Sequence, residues 1–111
     1  MKEKILKASE QIRGCIKLPG SKSITNRILL MSALGKGVTK VIDPLRSEDT
    51  DQMINALIEL GVSMKEGCDD RPFIKITGAD HNFLNKNTKL FLGNSGTTFR
   101  PLTAVLAMMK G

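Results

Sequence analysis

The sequence predicts an α/β (α+β) protein with helices packed on a mixed sheet. Three observations predict it. Short alternating or β-branched runs recur along the chain, apolar residues between them repeat at helical spacing, and Gly and Pro fall at the junctions. The resulting order is β-β-α-β-α-β-β, followed by β-α.

Residues 4–8 and 12–18 read as two strands, and Pro19-Gly20 breaks the pattern. From Ser23 to Leu34, Ile24, Ile28, Met31 and Leu34 recur at helical spacing, and Gly35 and Gly37 end that helix. Val38 to Asp43 reads as a strand closed by Pro44. "SEDTDQMINALIELG" is an amphipathic helix. Ser47 or Asp49 caps it, acidic residues fill its first turn, and Gly61 stops it. Its buried side is Met53, Ile54, Leu57, Ile58 and Leu60. "VSMKE" and "FIKIT" are strands joined by "GCDDRP", and Ala79 to Asn87 is polar loop. "TKLFLG" is a further strand, and Thr97 to Met109 a further helix. Pro101 fits that helix if it lies in the first turn, where amides have no intrahelical partner.

The 111 residues suffice for one modest domain, with 41% apolar and 25% charged residues, as in soluble globular proteins. The core is aliphatic, since there are four Phe and no Trp or Tyr. A net charge of +6 points to anionic partners. Nucleic acid is a poor candidate: the aromatics used for base stacking are nearly absent, and zinc spacing, basic-region heptads and aromatic RNA-binding signatures are all missing. The start "MKEKILKASEQ" is too polar for a signal peptide, and no apolar run reaches the ~18 residues of a membrane span. A soluble, cytoplasmic protein with two reduced thiols is therefore expected. Cys15 and Cys68 are expected to be small buried hydrophobes. His81, alone in "GADHNF", is expected to be exposed and without a functional role.

"LPGSKSITNR" aligns without gaps on "FLGNSGTTFR". Gly20 lies over Gly93, Ser21 over Asn94 and Arg27 over Arg100, each offset by 73 residues (93 − 20). Both stretches follow an expected strand and open an expected helix, so the chain reads as one structural unit plus the start of a second. Since the second unit would need as many residues as the first, the chain is expected to be a fragment of something longer.

A strand-to-helix turn rich in Gly and Ser presents backbone N–H groups at a positive helix end, where an anion fits. In the first loop Lys22 adds a point charge and Ser23 a hydroxyl. Arg27 shares the helix face of Ser23, and its planar fork suits phosphate or carboxylate. In the second, Asn94, Ser95, Thr97 and Thr98 offer polar groups, and Gly96 lets a ligand approach the backbone. A ligand-free account also exists: Ser21 or Ser23 as a helix cap, Lys22 and Arg27 as a solvated face. Two such loops in one short basic chain favour the anion. A nucleotide P-loop does not fit, because Gly14 and Gly20 are one residue too far apart and Ser21 separates Gly20 from Lys22.

"LPGSKSITNR" followed by "LGNSGTTFRPL" resembles the N-terminal part of the 5-enolpyruvylshikimate-3-phosphate synthase (3-phosphoshikimate 1-carboxyvinyltransferase) family, and "SEDTDQMINALIELGV" resembles its intervening helix. The resemblance covers essentially the whole chain. It implies a two-domain enzyme of βαβαββ units. Residues 1–20 would belong to the other domain, 21–88 would form the first unit and 89–111 would start the second. The implied reaction transfers the enolpyruvyl group of phosphoenolpyruvate to the 5-hydroxyl of shikimate 3-phosphate, in aromatic amino acid biosynthesis, and needs no organic cofactor. Lys22 matches the lysine that contacts both substrates, and Ser23 and Arg27 match shikimate-3-phosphate ligands. Asn94, Gly96 and Thr97 match the phosphoenolpyruvate-side loop, which glyphosate also approaches in sensitive members. Asp49 and Arg100 are neighbours. Positions 95 and 98 are Ser and Thr where many members have Ala, so inhibitor sensitivity is open. Ser23 argues against the sister family that acts on a UDP-amino sugar, which has Asn there. The family's acid/base carboxylates and further cations belong to segments outside these 111 residues, so the chain alone is expected not to turn over and to need the rest of the enzyme as partner. The alternative is a stand-alone anion-binding or regulatory module using the same loops.

Overall fold

The computed structural model describes residues 3–85, 87–93 and 96–109. Three helices, α1 (Lys22–Leu34), α2 (Glu48–Glu59) and α3 (Gly96–Met108), lie with a sheet of β1 (Val38–Ile42), β2 (Ser63–Cys68) and β3 (Pro72–Thr77).

The α/β class holds, but the sheet is antiparallel rather than mixed. Its order is β1-β3-β2, with β3 antiparallel to both neighbours. β1 and β2 therefore run the same way, joined through α2, and the short β2–β3 turn folds β3 into the gap between them. Pairing Val41 with Ile74 and Thr39 with Ile76 turns Ile74 and Ile76 toward the helices. On the outer face Lys40, Lys75 and Lys65 form one cross-strand row.

Local chemistry sets the helix ends. The Ser21 hydroxyl accepts the Ile24 N–H and so caps α1. Ser47 and Thr50 form a capping box at α2: the Ser47 hydroxyl accepts the Thr50 N–H at 3.3 Å, and the Thr50 hydroxyl accepts the Ser47 N–H at 2.8 Å. Glu48, Asp49 and Asp51 complement the positive end of the α2 dipole. Gly61 leaves the helix at φ 93°, a region only glycine enters cheaply.

The core joins Leu29, Leu30 and Ala33 of α1 with Met53, Ile54, Ala56 and Leu57 of α2, then Ile74 and Ile76 of β3 and Leu102 of α3. Leu60 and Val62 complete it below α2. The stretch read as plain polar loop contributes Phe83, which is 1% exposed. That loop also satisfies helix-end carbonyls. The N–H groups of Gly78, Ala79, Asp80 and His81 donate to the carbonyls of Gly37, Ala33, Gly35 and Leu34. Asn85 serves α2 likewise through Leu60 and Glu59. His81 is exposed, as expected.

Several expectations are corrected. Residues 3–21 are extended, exposed and without a strand, and residues 88–93 form none either. A strand needs a ladder partner, and these segments have none within the described residues. α1 buries the face opposite to the one expected: Ile24 and Met31 are 56% and 69% exposed, whereas Asn26, Leu29 and Ala33 are fully buried. Ile58 is half exposed, on the outer side of α2. Both cysteines are exposed free thiols: Cys15 lies in the extended segment and Cys68 at the end of an edge strand. α3 starts at Gly96, which makes Pro101 its sixth residue, past the first turn. There Pro101 has no N–H to give the carbonyl four residues earlier.

Candidate functional site

The N-terminal ends of all three helices meet on one side of the core. Between them opens a cleft of about 510 Å³ lined by Lys22, Ser23, Arg27, Asp49, Gly96, Arg100 and Pro101. Lys22 and Ser23 are the first two residues of α1, Asp49 the second of α2 and Gly96 the first of α3. First-turn amides lack intrahelical partners, and three positive dipole ends add to the charge of three basic side chains facing one carboxylate. The arrangement has the electrostatics of an anion site.

The two glycine-bearing loops do converge. Gly20 passes tightly under the turn after β1, where a Cβ would come 3.2 Å from the Asp43 carbonyl. The buried Thr25 hydroxyl accepts the Leu45 N–H at 3.2 Å and locks that turn to α1. Gly93, three residues before α3, adopts φ 58°, a left-handed conformation suited to glycine. A Cβ on Gly96 would meet nothing within 4 Å. Its missing side chain therefore leaves the backbone open to the cleft.

Lys22 extends across the cleft mouth. Its Nζ lies 2.8 Å from Oδ2 of Asp49, with the two side chains 47% and 25% exposed. With the lysine half exposed, water still screens the pair, so its contribution stays near the ~1 kcal/mol scale. A dianion entering the cleft can draw the ammonium away at little cost.

Of the residues singled out from sequence, Lys22, Ser23, Arg27, Asp49, Gly96 and Arg100 share this cleft. Thr97 lies in the first turn of α3, but its side chain is outside the description, and Asn94 lies outside the described residues altogether. Thr98 does not offer its hydroxyl to the cleft as expected. It is fully buried, and Oγ1 donates to the Asp49 main-chain carbonyl at 2.9 Å. Asn26, also fully buried, donates through Nδ2 to the same Oγ1 at 3.2 Å.

Sequence reasoning missed Asn26 and the cleft-lining Pro101. Asn26 was detectable, since 26, 29, 30 and 33 form a helical stripe with a polar residue at its head. The structure also extends the repeat: Thr25 and Thr98, offset by the same 73 residues (98 − 25), both use buried hydroxyls to tie a helix to the backbone beside α2.

Among the described residues no group of three or more His, Cys, Asp or Glu is arranged to hold a metal ion. Nor is any helix there long and apolar enough to cross a membrane.

A sequence model of the family described as EPSP synthase (3-phosphoshikimate 1-carboxyvinyltransferase) matches residues 6–111. The chain is 53% identical over 98 residues to a 3-phosphoshikimate 1-carboxyvinyltransferase of Cupriavidus necator, covering 88% of this chain and 22% of that protein. It is 49% identical over 107 residues to the one of Cellvibrio japonicus, covering 96% and 24%. A solved EPSP synthase from Acinetobacter baumannii superposes on 87% of this chain and 22% of its own, with TM-score 0.76 and 32% identity. The chain thus spans just under a quarter of the length of these curated relatives, at high similarity throughout its own. It belongs to the EPSP synthase family.

Proposed function

We propose that this chain supplies the first part of the substrate site of an enzyme that transfers enolpyruvyl from phosphoenolpyruvate to shikimate 3-phosphate. The observation that carries this reading is the convergence of Lys22, Arg27 and Arg100 with three helix N-termini on one cleft. Both substrates are phosphorylated and multiply charged, which suits that cleft. In this reading Ser23 and Arg27 hold shikimate 3-phosphate. Gly96 and Thr97, with Asn94, face phosphoenolpyruvate, and Arg100 adds positive charge beside them. Lys22 leaves Asp49 to sit between the two ligands.

The reaction joins the 5-hydroxyl oxygen, which gives up its proton, to C2 of phosphoenolpyruvate while C3 takes a proton. Loss of a proton from the C3 methyl group and of phosphate from C2 then regenerates the C2=C3 double bond, now as an enol ether. Lys22 stabilises charge on the phosphate and carboxylate as the addition proceeds, a preorganised contribution that needs no reorganisation during the step. The proton donor and acceptor come from the three quarters of the enzyme this chain does not span. No organic cofactor enters, and a cytoplasmic setting agrees with metabolites of this kind. Residues 3–20, with Ile5, Ile12 and Ile16 exposed, are the arm by which the chain joins that remainder.

The test is phosphate release from phosphoenolpyruvate and shikimate 3-phosphate. The 111-residue chain alone is expected to release none. Grafted in place of the matching segment of the Cupriavidus necator relative, it is expected to restore turnover. Release by the chain alone, or an inactive graft that is folded, overturns the proposal. Tight binding of shikimate 3-phosphate by the chain without turnover in the graft favours the stand-alone module.

A further inference from the structure

The deepest polar contacts beside the cleft belong to two side chains that do not line it. Asn26 of α1 and Thr98 of α3 are both 0% exposed. Asn26 Nδ2 donates to Thr98 Oγ1 at 3.2 Å, and Thr98 Oγ1 donates to the Asp49 carbonyl at 2.9 Å. One amide and one hydroxyl thus connect α1, α3 and the first turn of α2. Asp49 is the residue that receives Lys22 at 2.8 Å.

We propose that Thr98, oriented by Asn26, is a positioning residue that fixes the Asp49 turn and so sets where Lys22 rests before ligand arrives. The physical case is burial plus direction. A buried hydroxyl that neither donates nor accepts costs about 1–3 kcal/mol, so this pair holds a definite geometry. The Asn26 amide has N–H donors to give, which leaves the single Thr98 proton to point at the carbonyl. The carbonyl belongs to the second residue of α2, and its Cα carries the carboxylate that meets Lys22. A shift of α3 relative to α1 would therefore move the lysine's anchor. The inference rests on the functional reading only for its kinetic consequence; the geometric claim stands without it.

The experiment compares Thr98→Val, which keeps the shape and removes the hydroxyl, with Thr98→Ser, which keeps the hydroxyl. Leu102→Ala serves as a core variant of the same helix that removes neither hydrogen-bonding group. In the chain, the ¹³Cε relaxation of Lys22 reports whether its ammonium is held. Thr98→Val is expected to raise Lys22 mobility to that of the exposed Lys36, while Thr98→Ser and Leu102→Ala leave Lys22 ordered. In the grafted enzyme, where ligand draws Lys22 off Asp49, Thr98→Val is expected to change the KM for phosphoenolpyruvate by no more than about fivefold, the worth of that pair, and Thr98→Ser to restore it. If Thr98→Val leaves Lys22 as ordered as in the parent, or if Leu102→Ala loosens it equally, the positioning role is overturned. A graft whose parent form is inactive overturns the functional reading alone, since the Lys22 measurement still decides the geometry.

Discussion

Lys22 is the residue on which the proposed chemistry turns, and its position follows from its neighbours. Ser21 caps the helix, which makes Lys22 its first residue, and Asp49 receives the ammonium. Replacing Lys22 by Met is expected to leave the melting temperature nearly unchanged, because the lysine is half exposed and the pair contributes about 1 kcal/mol. The same change is expected to weaken phosphoenolpyruvate and shikimate 3-phosphate together in the grafted enzyme, as calorimetry would show. Gly96→Ala separates fold from ligand in another way. A Cβ there meets nothing within 4 Å among the described residues, and Ala restricts the unfolded chain more than Gly does. Stability should hold or rise, while affinity for phosphoenolpyruvate falls. A drop in melting temperature with affinity intact would contradict the open approach argued for this glycine. The charged and glycine members of the cleft were legible in the sequence because their chemistry is local: a cation or a missing side chain at a helix entrance. Thr98 was misread and Asn26 passed over, because whether a polar side chain faces ligand or core depends on which side of its helix is packed.

At the scale of elements, α2 was the most legible. Its cap, acidic first turn, apolar stripe and terminal glycine agree with one another, and the structure departs only at Ile58. Ser47→Ala removes one half of the capping box and is expected to destabilise the chain by about 1 kcal/mol in chemical denaturation. The α1 stripe was misread because the helix carries two apolar faces. Ile24, Ile28 and Met31 compete with Leu29, Leu30 and Ala33, and contact with α2 and β3 decides between them. The expected strands at both ends did not form, since a strand pattern states a propensity and the ladder partner must come from elsewhere. The 78–85 segment shows the opposite case, a polar stretch whose N–H groups at 78–82 and 85 are engaged by backbone carbonyls. Gly78 sits so close to Gly35 that a Cβ would come 2.1 Å from its carbonyl oxygen. Gly78→Ala is expected to cost about 1–3 kcal/mol by forcing the loop off the end of α1, measurable as a lower urea midpoint. An unchanged midpoint would show that the loop is not tied to α1 in solution.

The whole molecule is longer than its residue count requires. Its radius of gyration is 17.9 Å and its longest extent 60 Å, against about 13 Å expected for a compact domain of this size. The extended segment 3–20 accounts for the difference, and together with α1 it exposes Ile5, Ile12, Ile16, Ile24 and Met31. The chain alone is expected to bind an apolar dye such as ANS, and the grafted enzyme to bind much less. Equal dye binding by both would mean that the remainder does not cover these residues. The central claim is that three helix entrances and Lys22 form a working part of an enolpyruvyl transfer site. It is tested most directly by kcat/KM of the grafted enzyme carrying Lys22→Met, beside a control in which the sheet lysines Lys40, Lys65 and Lys75 are all changed to Met. The account predicts a loss of at least about 100-fold for Lys22→Met, the scale of removing a charged contact that stabilises the transition state, and near-normal turnover for the control. Full activity of the Lys22→Met graft would contradict it.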